Sequence, residues 1–380
     1  MARRIPIDTY CEKKISTLSA TYEGQIDYID IASVDNIEKK IASYQTIDAQ
    51  EAPSRAKQLL KKGDVLVSTV RPNLNAVAIV EDETNNLMVG STGYCVLRSK
   101  DSIEAHYLFY FCQSQYFVDD MSSQATGASY PAVSAGIVRS SLIPCYSIEE
   151  QRKIVKQLDA VSELLALRKQ QLAKLDALVK SRFIELFEKK EYKKVTVSSV
   201  LNTGFWLMPA TPEFIVDGEV PYITSKNIKN RTIDFDNVKY ISRAAYKSIS
   251  ANRPTQKGDI LISMIGTLGQ TALIQDDREF YGQNLYLLRL NNAIVNTTYF
   301  CEFFNSDTAQ YELQGKRNQS TQAYLKANHV EDLILPLPPM ELQEQFATFV
   351  EQTDKSKLAI QNSLERLETL KKALMQKYFG

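Results

Sequence analysis

Two stretches of the chain, 148–187 and 340–379, carry the same long-helix pattern. Their apolar residues alternate in steps of three and four, the spacing of the buried seam between paired helices. When the numbering is shifted by 192, the copies align and Leu172 falls on Leu364. Each helix of about 40 residues spans roughly 60 Å, so each needs an apolar partner, and the other copy is the obvious one. The predicted seam residues are Ile154, Leu158, Val161, Leu165, Leu172, Leu175, Val179, Leu186, Val350, Ile360, Leu364, Leu367, Leu374 and Tyr378.

The segments that precede the two helices also repeat. Residues 61–68 (KKGDVLVS) correspond to residues 256–263 (QKGDILIS), and Ile143-Pro144 corresponds to Leu335-Pro336. A period of about 190 residues is far too long for a solenoid. The sequence therefore predicts a duplicated unit of mixed α/β (α+β) class. Its segments are a first domain at 1–146, a helix at 147–187, a second domain at 188–338 and a helix at 339–380.

Local patterns predict several elements of the first domain. Residues 104–121, rich in aromatic side chains, are predicted to form one amphipathic helix, and residues 122–135, rich in Ser, Ala and Gly, a loop. Ser147 and Glu150 have the spacing of a capping box, which predicts the start of the first long helix. Apolar runs bounded by turn residues predict strands at 4–7, 26–31, 65–68, 76–80 and 94–97.

The order of the segments predicts how the helices pair. The second domain must join the end of the first helix to the start of the second through short linkers, and an antiparallel pair within one chain places those two points side by side. The two domains are then expected at opposite ends of the helix pair, related by an approximate two-fold axis. In that arrangement the helix length would set the separation of the domains.

Charge and cysteine content limit the class of protein. The chain has 45 basic and 45 acidic residues, which argues against a polycation that coats nucleic acid without specificity. Its five cysteines lie far apart without a CxxC pair, as expected for reduced thiols in the cytosol. No apolar run approaches 18 residues and the amino terminus lacks an apolar signal region. We therefore expect a soluble cytoplasmic protein without a membrane segment.

Catalytic constellations are missing from the sequence. It contains no Walker loop, HExxH or GxSxG motif. The two histidines, His106 and His329, are interpreted as structural. We therefore predict a protein that is not an enzyme, with no catalytic residue, metal or cofactor in this chain.

Polar, amide-rich loops follow strands in both domains. Arg, Asn and Gln can read the edges of guanine and adenine through paired hydrogen bonds, whereas Lys, Ser and Thr suit phosphates. Solvated surface loops would explain such residues too, but here the frame repeats while the loops differ, since TVRPNLN (69–75) corresponds to MIGTLGQ (264–270). The candidate DNA-binding residues are Arg71, Asn73, Asn75, Ser91, Thr92, Gln124, Ser129, Tyr130, Thr224, Ser225, Lys226, Asn227, Lys229, Asn230, Gln283, Asn284, Lys316, Arg317, Asn318, Gln319, Thr321 and Gln322.

This order of domain, helix, domain and helix resembles the specificity subunit of type I restriction–modification systems. The resemblance covers the whole chain. It depends on Leu142-Ile143-Pro144 and Glu149-Glu150-Gln151 at the first helix, and on the run LPLPP (335–339) with Glu341 and Gln343 at the second. The second copy departs from the first where Leu342 replaces a glutamate, and its seam contains Lys357 and Lys371.

The resemblance implies two target recognition domains, each reading one half-site of a bipartite target in double-stranded DNA, with spacer helices between them. It also implies that catalysis belongs to partners: two methyltransferase subunits that bind S-adenosylmethionine, and motor–nuclease restriction subunits. Two alternatives stay open. The chain could serve a fused nuclease–methylase of another restriction class, or it could be a coiled-coil scaffold whose end domains bind proteins.

Overall fold

The computed structural model describes residues 3–229, 231–266, 268–316 and 324–380. The chain divides into unit 1, formed by Met1–Gln170 with Gln361–Gly380, and unit 2, formed by Gln171–Ile360. Each unit thus combines one predicted domain with part of both long helices. The predicted domain boundaries after residues 146, 187 and 338 lie at the helix ends, whereas the two units divide within the helices. Those boundaries stay a prediction.

Unit 1 contains two sheets, with strand orders β5-β2-β9-β6 and β10-β7-β8, and the pairs β1–β11 and β3–β4. Strands β2 and β9 run parallel, and the other pairs are antiparallel. The strands are β1 (Arg4–Pro6), β2 (Gln25–Ile29), β3 (Val34–Asp35), β4 (Lys40–Ile41), β5 (Gln45–Asp48), β6 (Ala56–Leu59), β7 (Val65–Ser68), β8 (Val77–Ile79), β9 (Leu87–Ser91), β10 (Tyr94–Leu97) and β11 (Leu142–Pro144). The helices are α1 (Ala105–Phe111), α2 (Gln115–Gln124), α3 (Ala135–Ser140) and the first part of α4 (Ile148–Phe183).

Unit 2 begins in α4, which ends in a π-helical turn over Ile184–Glu188. Its sheets have the orders β13-β21-β18-β19 and β17-β14-β20, with the pairs β12–β22 and β15–β16. The strands are β12 (Lys193–Thr196), β13 (Leu201–Leu207), β14 (Val220–Ile223), β15 (Ile228–Lys229), β16 (Thr232–Ile233), β17 (Lys239–Ile241), β18 (Ile260–Ser263), β19 (Thr271–Leu273), β20 (Tyr281–Gly282), β21 (Leu285–Leu290) and β22 (Ile334–Leu337). The helices are α5 (Arg243–Ser250), α6 (Thr297–Phe304), α7 (Asp307–Gly315), α8 (Ala327–Glu331) and α9 (Met340–Phe379).

The two units share a common core topology, to which unit 1 adds the edge strand β6 and unit 2 the edge strand β13. Strands β14 and β20 form the parallel pair of unit 2, as β2 and β9 do in unit 1, and each unit is closed by an antiparallel pair next to a long helix. The predicted duplicated fold of mixed helices and sheets is confirmed. No helix within the described ranges is long and apolar enough to cross a membrane.

A buried ion pair explains why the KGD sequence repeats. In unit 1 the carboxylate of Asp64 accepts the backbone N–H of Lys61 at 2.8 Å and both arms of Arg98 at 2.8 and 2.7 Å. In unit 2, Asp259 accepts two arms of Arg289 at 2.7 Å each. Bidentate pairing satisfies a carboxylate that has no access to water. The turn before each strand needs a left-handed backbone, which glycine adopts without strain.

The aromatic segment 104–121 forms two helices, so the prediction of one continuous helix was wrong. Helix α1 ends at Phe111 and α2 begins at Gln115. Between them the Ser114 hydroxyl accepts the N–H of Phe117 at 3.2 Å and donates to the Phe111 carbonyl at 2.7 Å. A serine that caps a helix competes with helix continuation.

The predicted loop at 122–135 is shorter than expected. Helix α2 runs on to Gln124, and a further helix, α3, begins at Ala135. The start of α3 is fixed by Ser134, whose side chain accepts the N–H of Ile137.

The start of each long helix is anchored to its domain by a buried glutamine. The predicted capping box is present, since Ser147 N–H donates to Glu150 at 2.9 Å and Glu150 N–H to Ser147 at 3.3 Å. One residue later the Gln151 side chain accepts the N–H of Glu104 at 2.9 Å and donates to the Tyr146 carbonyl at 2.9 Å. Gln343 accepts the N–H of Asn296 at 2.8 Å and donates to the Pro338 carbonyl at 2.9 Å.

Within each unit the two helix segments run antiparallel, as predicted. In unit 1 the end of α9 lies beside the start of α4, where the Tyr378 hydroxyl donates to Gln157 at 2.8 Å. In unit 2 the start of α9 lies beside the end of α4, where Phe183 and Phe346 pack with ring centroids 5.7 Å apart.

The seam residues face away from solvent. Five of the predicted seam residues are buried: Ile154, Leu158, Val161, Val179 and Val350. The others are half-buried: Leu165, Leu172, Leu175, Leu186, Ile360, Leu364, Leu367, Leu374 and Tyr378.

Polar residues that interrupt the seam of α9 find partners. The buried Thr353 hydroxyl donates to the Phe349 carbonyl at 2.9 Å. The Lys357 ammonium pairs with Asp176 of α4 at 2.7 Å.

We predict that the two anchoring glutamines are required for stability. Gln151→Ala or Gln343→Ala leaves a backbone N–H and a carbonyl without their partner, which should lower the free energy of unfolding by about 1–3 kcal/mol. Urea denaturation of the purified chain measures the loss. The matched control is Gln345→Ala, because Gln345 is exposed on the same helix and should change stability little. Equal effects for Gln343→Ala and Gln345→Ala would contradict the anchoring role.

Candidate functional site

Three loops meet at the end of the KGD strand in each unit. In unit 1 the N–H of Thr69 donates to the Gly93 carbonyl at 3.0 Å, and its carbonyl accepts the N–H of Val133 at 2.9 Å. In unit 2 Met264 makes the same two bonds, to the Asn284 carbonyl at 3.2 Å and from the N–H of Leu325 at 2.9 Å. We call this arrangement the loop junction.

An isolated bridge beside each loop junction extends the match. Val70 pairs with Ala132 in unit 1, and Ile265 pairs with Tyr324 in unit 2. The backbone at the candidate site therefore repeats as the frame does. We define the unit-1 loop cluster as residues 69–75, 91–93 and 124–133, and the unit-2 loop cluster as the described residues of 264–270, 283–284 and 316–326.

Arg71 and Tyr130 lie together at the surface of the unit-1 loop cluster. The guanidinium of Arg71 stacks over the Tyr130 ring, 4.6 Å from the centroid, and the Arg71 N–H donates to the Pro131 carbonyl at 2.7 Å. The Tyr130 side chain is 67% exposed. Two residues from different predicted loops are thus joined into one surface feature.

Four other candidate residues of unit 1 have exposed side chains and lie in the same loop cluster as Arg71 and Tyr130. Asn73, Thr92, Gln124 and Ser129 are exposed. Gln124 donates to Asp120 at 2.7 Å, which ties it to the helix that carries it. The N–H of Thr92 donates to the Arg55 carbonyl at 2.9 Å.

Asn75 and Ser91 are engaged inside the unit. The Asn75 side chain donates to the Cys112 carbonyl at 2.8 Å and accepts the Lys39 ammonium at 2.8 Å. Ser91 is fully buried and its hydroxyl accepts the N–H of Gly93 at 3.3 Å. Both residues shape the loops, and neither presents a free hydrogen-bonding edge.

Lys39 was not among the predicted site residues. It lies in the β3–β4 hairpin, and its ammonium donates to both the carbonyl and the side chain of Asn75. Burial, and then the neighbouring Lys371 ammonium, lower the pKa of Lys39 to about 8. One sequence signal could have identified Lys39 as a functional residue. A basic residue precedes the second hairpin strand in both copies, Lys39 in the first and Arg231 in the second.

In unit 2, the loop 224–227 contributes structural residues and surface residues. Asn227 accepts the N–H of Thr224 at 3.0 Å and donates to the Asp234 carbonyl at 3.1 Å, so it holds the turn together. Ser225 lies beside the loop cluster, since its hydroxyl is 3.5 Å from the position of a Cβ on Gly266. Lys226 is exposed.

The remaining candidates of unit 2 differ in how they are held. The Lys229 ammonium pairs with Asp234 at 2.7 Å and the Lys316 ammonium with Glu312 at 2.7 Å. Gln283 accepts the Tyr222 hydroxyl at 3.4 Å, and the carbonyl of Asn284 takes part in the loop junction. The candidates Asn230, Arg317, Asn318, Gln319, Thr321 and Gln322 lie outside the described residues.

A buried carboxylate in unit 2 was also not predicted. Glu302 of α6 pairs with Arg231 of the β15–β16 hairpin, and burial raises the pKa of Glu302 although the Arg231 guanidinium opposes that shift. In both units, then, a basic residue with left-handed backbone fixes the small hairpin to the domain.

The loop clusters present polar and charged side chains on a surface. Over the described ranges, no three His, Cys, Asp or Glu residues are grouped so that they could hold a metal ion. Guanidinium, amide, hydroxyl and ammonium groups at loop tips suit recognition of phosphates and base edges.

Comparison with known proteins identifies the duplicated segment. Residues 9–177 and 189–372 each match the model of the type I restriction modification DNA specificity domain. The chain is 20% identical over 345 residues to the type I restriction enzyme MjaIX specificity subunit of Methanocaldococcus jannaschii, covering 84% of this chain and 77% of that protein. It is also 20% identical to the StySPI specificity subunit of Salmonella potsdam, over 93% of this chain and 82% of the relative. A further type I relative from M. jannaschii, 29% identical over 168 residues, is matched over 39% of its own length.

Solved structures share the fold. The type I restriction–modification system S subunit from M. genitalium matches with a TM-score of 0.61 and 16% identity, over 100% of this chain and 96% of that one. A chain from a structure on complex assembly and conformational transition of the type I R-M system matches with a TM-score of 0.61 and 23% identity, over 99% and 97%. At these levels of sequence identity, both matches show a shared fold.

We predict that Lys39 makes stability depend on alkaline pH. The folded chain releases this proton near pH 8 and the unfolded chain near 10.5. The contribution of Lys39 to the free energy of unfolding therefore rises between pH 8 and pH 10.5. Asp35, Lys371, Lys169 and Glu38 face the same region, so the comparison must be with a variant. Urea denaturation should show the stability of the wild type growing relative to Lys39→Met over this window.

The control for this measurement is Lys40→Met, which removes the neighbouring exposed lysine. It should leave the pH dependence as in the wild type. A constant difference between wild type and Lys39→Met from pH 8 to pH 10 would refute the prediction.

Proposed function

Because the chain belongs to the family of type I restriction–modification DNA specificity domains, we propose that it is the DNA-recognition subunit of such a complex. Each unit reads one half-site of a bipartite target in double-stranded DNA through its loop cluster. The chain itself performs no catalysis in this proposal. We also propose that the length of the two long helices sets the gap between the two half-sites.

The observation that carries the proposal is the repeated loop junction with unlike side chains. Thr69 and Met264 make equivalent backbone bonds in the two units, yet the residues around them differ almost throughout. A frame that keeps its backbone while the exposed side chains change is suited to reading two different sequences, because base specificity depends on side chains at groove edges.

Partners complete the proposed function. Because the chain is duplicated, it offers two similar surfaces, which favours two methyltransferase subunits that bind S-adenosylmethionine. Motor–nuclease restriction subunits join the same complex in this proposal. The chain requires no cofactor of its own for recognition. We propose that the protein recognises DNA in the cytoplasm.

A salt titration tests DNA binding directly. The full chain, with and without its methyltransferase partner, is titrated with a random duplex at increasing salt. Release of counterions gives a steep fall of log K with log salt for a DNA-binding protein. A flat response in both cases would favour the alternative of a scaffold that binds proteins.

We predict that the loops of the two units act independently. Exchange of residues 316–322 for the corresponding loop of another family member should change one half-site of the methylation motif and leave the other unchanged, because these residues belong to unit 2 alone. Sequencing of modified bases in host DNA measures both half-sites. Exchange of residues 124–132 is the matched control and should change the opposite half-site. Simultaneous change of both half-sites after either exchange would exclude independent reading.

A further inference from the structure

The loop after the KGD strand is bracketed by two left-handed residues in each unit. In unit 1 these are Arg71 and Asn75, with φ of 50° and 48°, on either side of the 3-10 turn Pro72–Leu74. In unit 2 the loop between the paired strands is one residue shorter, and Gly266 and Gly269 stand at its two ends with φ of 83° and 74°. Both units thus need left-handed backbone at the two ends of this loop, while the residues that meet the need differ.

Glycine is the residue that this backbone favours, because a Cβ in the left-handed region approaches the following carbonyl oxygen. Unit 2 uses glycine at both positions. Unit 1 carries side chains at both, so each of these side chains must be useful enough to offset the strain.

The Asn75 side chain has a structural use. It donates to the Cys112 carbonyl and accepts the Lys39 ammonium, and asparagine tolerates the left-handed region better than other residues with side chains. Folding of the loop therefore accounts for Asn75.

The Arg71 side chain has no comparable use in the folded unit. Its guanidinium makes no hydrogen bond or ion pair with any described residue, and its one recorded contact is the stack on Tyr130. The backbone bond from its N–H to Pro131 would form equally with glycine at this position. Nothing in the fold of unit 1 thus explains an arginine here.

Three other arginines of unit 1 are neutralised by carboxylates. Arg98 pairs with Asp64, Arg139 with Asp8 and Arg152 with Glu104. Arg71 is exposed, is charged and has no acidic partner among the described residues. Its guanidinium plane is set by an aromatic ring that is itself open to solvent.

We propose that Arg71 reads a guanine in the half-site contacted by unit 1, with Tyr130 as the platform that fixes the plane of its guanidinium. The proposal rests on the proposed function. Guanine presents two acceptors, O6 and N7, side by side in the major groove, and the arginine fork matches them with two parallel N–H bonds. A fixed plane favours such a bidentate contact.

Selection from a random duplex library tests the proposal. The complex of the full chain with its methyltransferase partner is incubated with the library, and bound DNA is sequenced for the wild type and for Arg71→Gly. The wild-type motif should contain a guanine that becomes uninformative in Arg71→Gly, while every other position is kept. Affinity for the guanine-containing site should fall on the order of 10- to 100-fold.

The glycine variant separates recognition from folding. Because Gly266 shows that the backbone accepts glycine at this position, the melting temperature of Arg71→Gly should equal or exceed that of the wild type. Tyr130→Leu removes the platform and should weaken the same guanine preference in part. Lys62→Ala, which removes an exposed basic residue of unit 1 outside the loop cluster, is the matched control and should leave this guanine in the motif.

Several outcomes would overturn the proposal. One is a wild-type motif without any guanine. Another is an Arg71→Gly complex that binds all sequences more weakly by one factor with a salt slope lower by about one, as a lost phosphate contact predicts. A third is a fall in melting temperature together with the loss of binding, which would make Arg71 a structural residue. Failure of the proposed function looks different, since the wild-type complex would then select no consensus at all.

Discussion

Burial of the aromatic end of a long helix completes each unit. In unit 1 the Phe379 ring packs on Tyr107 and Phe111, with centroids 5.2 and 6.0 Å apart. In unit 2 the Phe187 ring packs on Tyr299 at 4.7 Å. Phe187 and Phe379 are both shielded from water, so removing a helix end would open an apolar core in the domain it covers. This is why unit 1 consists of two segments from opposite ends of the chain.

Stability and recognition use different residues in this frame. The Asp64–Arg98 pair and the anchoring Gln151 are buried within unit 1, and Asp259–Arg289 and Gln343 repeat them in unit 2. None of these residues lies in a loop cluster. Buried, fully paired polar groups are costly to alter, whereas exposed loop residues change with little effect on folding. The duplicated frame can therefore keep its fold while its loop clusters diverge.

The repeated helices, strands and turns could be predicted from the sequence because periodic apolar residues and short paired motifs determine them. The Ser147–Glu150 capping box and the KGD turn are each fixed by a local pattern and are found in the structure, and five of the predicted seam residues are buried. The break at Ser114 was missed because the aromatic spacing continues across it, and the hydroxyl that ends α1 is visible only in three dimensions. In the candidate site, composition alone could not separate Asn75, which holds a loop, from Asn73, which faces solvent.

A duplication inside one chain supplies a comparison that a single domain lacks. Where both copies keep the residue class and the backbone, as with Lys39 and Arg231 before the second hairpin strand, the side chain has an intramolecular partner in each unit. Where the copies keep the backbone but differ in residue class, as with Arg71 and Gly266, the fold demands only the conformation. The first pattern indicates a structural role, because the partner must be satisfied for the hairpin to dock. The second indicates a side chain retained for contacts outside the molecule only where that side chain has no internal hydrogen-bond partner, unlike Asn75. The exposed stack of Arg71 on Tyr130 meets this condition.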